Sequence, residues 1–104
     1  MDKLKVLFRE FSEERDWDQF HTPENLAKSI SIEAGELLEC FQWNDEYDRD
    51  QLCDELADVI SYCVMLADRL DLDIEEIVTN KLEKTKAKYP VDKAKGVSTK
   101  YDRL

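Results

Sequence analysis

Four acidic residues are the clearest sign of chemistry in this chain. Glu33 and Glu36 form an E-x-x-E step, and after eighteen intervening residues Glu55 and Asp58 repeat it as E-x-x-D. Each step spans about one helical turn, so both acids of a pair lie on the same side of a helix. Carboxylates gathered together need a counter-ion: like charges within about 4–6 Å oppose ionisation, and burial adds to the cost. A hard divalent cation removes it. Mg²⁺ takes oxygen ligands at about 2.1 Å and keeps several waters, leaving positions for phosphate oxygens. The carboxylates therefore suggest a metal site suited to a phosphate-bearing substrate.

Positioning such a site requires two helices that present their acids to each other. With Glu33 at zero on a wheel of about 100° per residue, Leu26, Ile30, Leu37 and Phe41 fall between about 20° and 80°, and Glu36, Cys40 and Ser29 lie within about 60° on the other side. On the wheel of the later segment, with Glu55 at zero, Leu52, Val59, Cys63, Leu66 and Leu70 occupy the same arc of about 20° to 80°, with Tyr62 and Asp58 beyond its margin. Packing the two stripes together brings Glu33, Glu36, Glu55 and Asp58 to one edge of the interface.

Only two Gly and two Pro interrupt the 104 residues, and the apolar period is that of a helix rather than a strand. The reading is an all-α four-helix bundle in a single domain. Its helices span about 2–15, 23–43, 49–70 and 74–89, with an irregular basic tail over 90–104. Thr22 serves as N-cap with Pro23 at the first helical position, and Asn44 closes the second helix. Asp73 and Glu76 have the spacing of a capping box, and Pro90 stops the fourth helix. Gly35, inside the second helix, costs about 1 kcal/mol against alanine and reads either as a close helix approach at the metal site or as a tolerated defect.

Composition narrows the function classes. Residues 1–80 carry net charge −15 and residues 81–104 net +5. Such a chain repels a bare polyanion over most of its surface, which argues against nucleic-acid binding. Cys40, Cys53 and Cys63 form an odd set without C-x-x-C spacing and read as reduced thiols of a cytoplasmic protein. The longest nearly apolar run, VISYCVMLA, is too short to span a bilayer, and the N-terminus lacks a signal peptide's apolar centre. Other sites fail on residue supply. The single histidine, His21, precedes both acidic steps and completes neither a di-iron E-x-x-H nor a nucleophilic triad, and neither glycine sits in an EF-hand or Walker loop.

EAGE at 33–36 followed by ELAD at 55–58, in a four-helix chain of this length, resembles the MazG-type all-α nucleoside triphosphate pyrophosphohydrolases. More narrowly, RDWDQFHTPENL, ECFQW, KYPVDKAKG and KYDRL resemble the dCTP pyrophosphatase branch, and the likeness covers nearly the entire chain. It implies that Glu33, Glu36, Glu55 and Asp58 hold Mg²⁺, with Mn²⁺ as the alternative. Water would then cleave a dNTP, dCTP or a modified dCTP first, between the α- and β-phosphates to give the monophosphate and pyrophosphate. Glu36 or Glu39 would be the general base. Trp17, His21 and Trp43 would line the nucleobase pocket, the indoles stacking on the base and His21 bonding its edge. Tyr62 would reach a phosphate or sugar, or pack in the core with its hydroxyl at the rim, and Lys81 and Lys88 would lie near the phosphates. Thr85 stands where the branch commonly has asparagine, which weakens any contact from that position. The resemblance also implies a homodimer or homotetramer and a role in sanitising the nucleotide pool. Two other readings remain at this stage: a broad pyrophosphohydrolase acting on several nucleotides, and a catalytically silent helical module that binds nucleotides or partners.

Overall fold

A computed structural model of the chain describes residues 2–43 and 46–104. Among these residues there is helix and no strand. Helix α1 spans Asp2–Glu14, α2 Pro23–Glu39, α3 Arg49–Arg69, α4 Ile74–Lys88 and the short α5 Val91–Ala94, with 3-10 turns at Asp18–Phe20 and Tyr101–Arg103. The chain divides into two compact units, Met1–Leu72 and Asp73–Leu104.

In the first unit, α3 packs against both α1 and α2. Leu26, 1% exposed, and Val64, 0%, form its centre together with Ala67, and Ser12 is the buried polar residue. The facing stripes are half-buried at Ile30, Leu37, Leu52, Val59 and Leu66, while Phe41, Cys63 and Leu70 remain exposed. α1 is tied to α3 by a forked ion pair, in which Arg9 donates to the two carboxylate oxygens of Asp68 at 2.6 and 3.2 Å.

The helix starts follow side-chain chemistry. Thr22 Oγ1 accepts the Asn25 amide at 3.2 Å ahead of Pro23, and Asp48 Oδ1 accepts the amides of Asp50 and Gln51 at 2.9 and 3.2 Å. In the second unit, Asp73 Oδ1 accepts the Glu76 amide at 3.0 Å.

Two helix ends share one motif. Asp16 and Asp71 each take φ = 54°, in the left-handed region. Trp17 N–H then donates to Ser12 O at 2.9 Å, and Leu72 N–H to Ala67 O at 2.8 Å. These six-residue closures are Schellman caps with aspartate in the place usual for glycine. The apolar contact that accompanies such a cap is Trp17 against Phe11, edge to face with ring centroids 5.5 Å apart.

Two boundaries differ from the sequence reading. α2 stops at Glu39 rather than Trp43, because the amides of Cys40, Phe41 and Gln42 bond three residues back, to Leu37, Leu38 and Glu39, and tighten the last turn out of the α-helical pattern. Asn44, expected to end that helix, lies outside the described residues. The tail is more ordered than expected: α5 and the final 3-10 turn are joined to the end of α4 by Tyr89, whose hydroxyl accepts the Tyr101 amide at 3.2 Å and whose ring meets that of Tyr101 at 6.1 Å.

Candidate active site

Glu33 projects from the middle of α2, and Glu55 and Asp58 from the first half of α3. One carboxylate oxygen from each comes within 4.8 Å of the other two. Oxygens bound to opposite corners of one Mg²⁺ octahedron are about 4.2 Å apart, so the set has the scale of a single ion. Glu36, one turn after Glu33, is exposed and neighbours both Glu33 and Glu55.

The electrostatics are those of an uncompensated acidic cluster. Burial and then the neighbouring Glu36 carboxyl push the Glu33 carboxyl above the ordinary glutamate range, with Asp58 and Glu55 adding to the effect. Burial likewise raises Glu55, followed by Glu36, Asp58 and Asp54. Oε2 of Glu33 and Oε2 of Glu55 are shielded from solvent and have no hydrogen-bond partner. Buried polar oxygens are nearly always satisfied, so two orphans in one cluster fit the residues to a divalent cation. The donors are all hard oxygens, which suits Mg²⁺ or Mn²⁺ over softer metals.

A cavity of about 350 Å³ lies beside this cluster, lined by Trp17, Phe20, His21, Asn25, Ser29 and Tyr62 over the side of Leu26. Ser29 precedes Glu33 by four residues on α2, and Tyr62 follows Asp58 by four on α3. The cavity thus sits about one helical turn, 5.4 Å, along the groove from the carboxylates. Its walls offer aromatic surface together with an imidazole, an amide and two hydroxyls, a set able to sandwich a planar heterocycle and bond its edge.

Other residues singled out in the sequence are placed differently. Trp17, His21 and Tyr62 share the cavity; Trp43 does not line it and is 86% exposed beyond the end of α2. Glu39, the last residue of α2, is exposed and outside the carboxylate set. Lys81 and Lys88 belong to the second compact unit, where the Lys88 ammonium sits 4.6 Å from the centroid of the Tyr101 ring. Thr85 spends its hydroxyl on the Lys81 carbonyl at 3.1 Å. An added Cβ at Gly35 would meet nothing within 4 Å, so no close helix approach explains that glycine.

Phe20, Asn25 and Ser29 were not among the sequence-derived candidates. Ser29 carried a usable signal, its position one turn before Glu33 on the same margin. At Cys40, also near that margin, burial and then the Glu55 charge push the thiol up, away from the lowered pKa of a reactive cysteine.

A family model described as the MazG-like family matches residues 28–104. The chain is similar to dCTP pyrophosphatase 1 of Mus musculus and of Homo sapiens, 37% identical to each over 114 residues that take in 100% of this chain and 67% of each relative. It is also similar to the crystal structure of a pyrophosphatase from Archaeoglobus fulgidus DSM 4304, with a TM-score of 0.78 and 41% identity, covering 86% of this chain and 92% of that chain.

Proposed function

The chain belongs to the MazG-like family, and from that membership we propose that it is a pyrophosphohydrolase that cleaves dCTP, or a modified dCTP, to the monophosphate and pyrophosphate. The carrying observation is the adjacency of two features on α2 and α3: a carboxylate cluster with two shielded, unpartnered oxygens, and an aromatic cavity one turn away. A nucleoside triphosphate has the same two ends in the same order. The relatives named dCTP pyrophosphatase support the choice of base.

In this reading Glu33, Glu55 and Asp58 hold Mg²⁺, with Glu36 beside them. Held there, the ion would supply the positive charge that lets an acidic protein accept a triphosphate, and Lewis acidity toward the phosphate and a bound water. Glu36 is assigned as general base over Glu39, because it neighbours Glu33 and Glu55 and is still open to solvent. Trp17 and Phe20 stack on the base, and His21 meets its edge. Tyr62, on the cavity side of Asp58, is assigned to the sugar or α-phosphate. Lys81 and Lys88 remain assigned to the phosphate end from sequence alone, and Trp43 to a base contact made from outside the cavity.

A homodimer or homotetramer completes the proposal, and the apolar surface of the single chain supports it. On α3, Cys53, Leu56, Ile60 and Cys63 form an exposed stripe within about 80°. No described helix is long and apolar enough to cross a membrane, and a cytoplasmic location goes with the three free thiols.

Incubation with each of the four dNTPs, with and without Mg²⁺, tests the function. dCTP should give dCMP and pyrophosphate only with the metal, and Glu36→Gln should lower the rate about 10²–10⁴-fold with helix content unchanged. Equal rates on all four nucleotides would replace the dCTP specialist with a broad enzyme, and binding without products would exclude catalysis.

A further inference from the structure

Three walls of the aromatic cavity, Trp17, Phe20 and His21, come from the link between α1 and α2, whose only regular structure is the 3-10 turn Asp18–Phe20. Such a turn has poor internal hydrogen-bond geometry and needs support from outside. Two side chains supply it. Asn25 of α2 donates from Nδ2 to Phe20 O at 3.0 Å, and Arg69 of α3 donates from Nη2 to Asp18 O at 3.2 Å, across fifty-one residues of sequence. Among the described residues, Arg69 is the one side chain of α3 that hydrogen-bonds this link.

The position of Arg69 on its helix gives the contact a purpose. Arg69 follows Tyr62 by seven residues, which places the two within about 20° on the wheel and about 10.5 Å apart along the axis. The face of α3 that presents Tyr62 to the cavity thus also pins the opposite wall. Trp17 is fixed at the other end of the link by the Schellman cap and its contact with Phe11. Between these two fixed points lies the Asp18 carbonyl, which accepts the His21 amide at 3.1 Å as well as the Arg69 side chain.

We propose that Arg69 is a positioning residue for base recognition: its hydrogen bond to the Asp18 carbonyl holds the Trp17–His21 segment at the right distance from Tyr62. The inference rests on the cavity being the nucleobase pocket. Arg69 touches neither nucleotide nor metal in this account. Without it the link drifts, and a displacement of about 1 Å is enough to lose the base between its platforms while the carboxylate end is untouched.

The test uses the full chain and compares wild type, Arg69→Ala and Arg69→Gln for kcat and KM on dCTP and for inhibition by inorganic tripolyphosphate, which offers the phosphate end without a base. Arg69→Ala should raise KM about five- to tenfold, the worth of one solvent-exposed hydrogen bond. It should keep kcat within about twofold and leave tripolyphosphate inhibition unchanged. Arg69→Gln should recover part of the KM, since its amide N–H can still donate to the carbonyl. An unchanged KM in Arg69→Ala, or a KM that rises together with the tripolyphosphate constant, overturns the proposal, the latter by exposing a general folding defect. A wild-type protein that hydrolyses no deoxynucleotide overturns the functional reading itself, before any variant is compared.

Discussion

Glu33 and Glu55 each turn one carboxylate oxygen out of solvent, and neither oxygen meets a donor. Both carboxyls are raised, first by burial and then by the same neighbour, Glu36. This is a cluster that opposes its own ionisation unless a cation sits in it, and it puts metal binding and stability in conflict. Whatever relieves the repulsion should steady the metal-free protein, and whatever removes a ligand should end catalysis.

Glu55→Gln separates these two effects. The amide keeps the shape of the side chain, removes one negative charge and brings N–H donors into reach of Glu36. The metal-free variant should melt at a higher temperature than metal-free wild type. Its dCTP hydrolysis should fall at least about 100-fold, and added Mg²⁺ should no longer raise its melting temperature. Calorimetry with and without chelator, together with pyrophosphate release, checks all three; a variant that still gains stability from Mg²⁺ would remove Glu55 from the ligand set.

The pH dependence of the metal effect has a definite sign. A carboxyl whose folded pKa lies above its unfolded value binds more protons in the native state than in the unfolded one between those two values. Stability therefore falls as pH rises through the raised value. For Glu33 and Glu55 the contribution is fully favourable below the ordinary glutamate range and lost above the raised one. At the proposed metal site Mg²⁺ would bind the deprotonated pair, so its stabilisation should grow in the opposite direction. The Mg²⁺-induced rise in melting temperature should be small at pH 5 and larger at pH 8. It should vanish at both in the Glu33→Gln, Glu55→Gln double variant, which serves as control for the other titrating groups.

Much of the site can be read from periodicity, because a helix wheel needs only residue types and spacing. The margins bearing Glu33 with Glu36 and Glu55 with Asp58 are visible before any coordinates, as are the caps at Thr22 and Asp73, since a cap is a contact between near neighbours. Contacts set by the tertiary path are not visible. Nothing local in ADRL announces that Arg69 reaches Asp18, and Phe20 and Asn25 join the cavity only because the link folds back over Leu26. The end of α2 was hard to place for a different reason: FQW has no glycine or proline, and the stop comes from a tightened last turn. That early stop also explains Trp43, which leaves the helix surface that would have carried it along the site.

Gly35 offers a test of stability free of the chemistry. It lies mid-helix without a positive φ, and a Cβ there has open space around it. Gly35→Ala should therefore stabilise the chain by about 0.5–1 kcal/mol, through helix propensity and a less flexible unfolded state. Chemical denaturation should show a higher midpoint at unchanged slope. A loss of stability would mean that another copy of the chain packs against this position.

So small a core predicts self-association. Leu26, Val64 and Ala67 are the buried apolar residues, whereas Ile32 is 63% exposed, Leu56 46% and Ile60 43%. Leu56 and Ile60 stand one turn apart on α3, about 60–120° around the helix from the half-buried Val59 and Leu66. Burying such a stripe against a second copy contributes about 25 cal/mol per Å² of apolar surface, and a small domain has few other sources of that free energy. The wild-type chain should sediment at two or four times its 12.3 kDa. Leu56→Glu with Ile60→Glu should shift it toward the monomer, because carboxylates buried in an apolar interface lose their hydration without gaining partners. Both side chains are already well exposed in the single chain, so the substitution leaves the α2–α3 packing intact and circular dichroism of the variant should stay helical. A wild-type protein that remains at 12.3 kDa at micromolar concentration would refute the association.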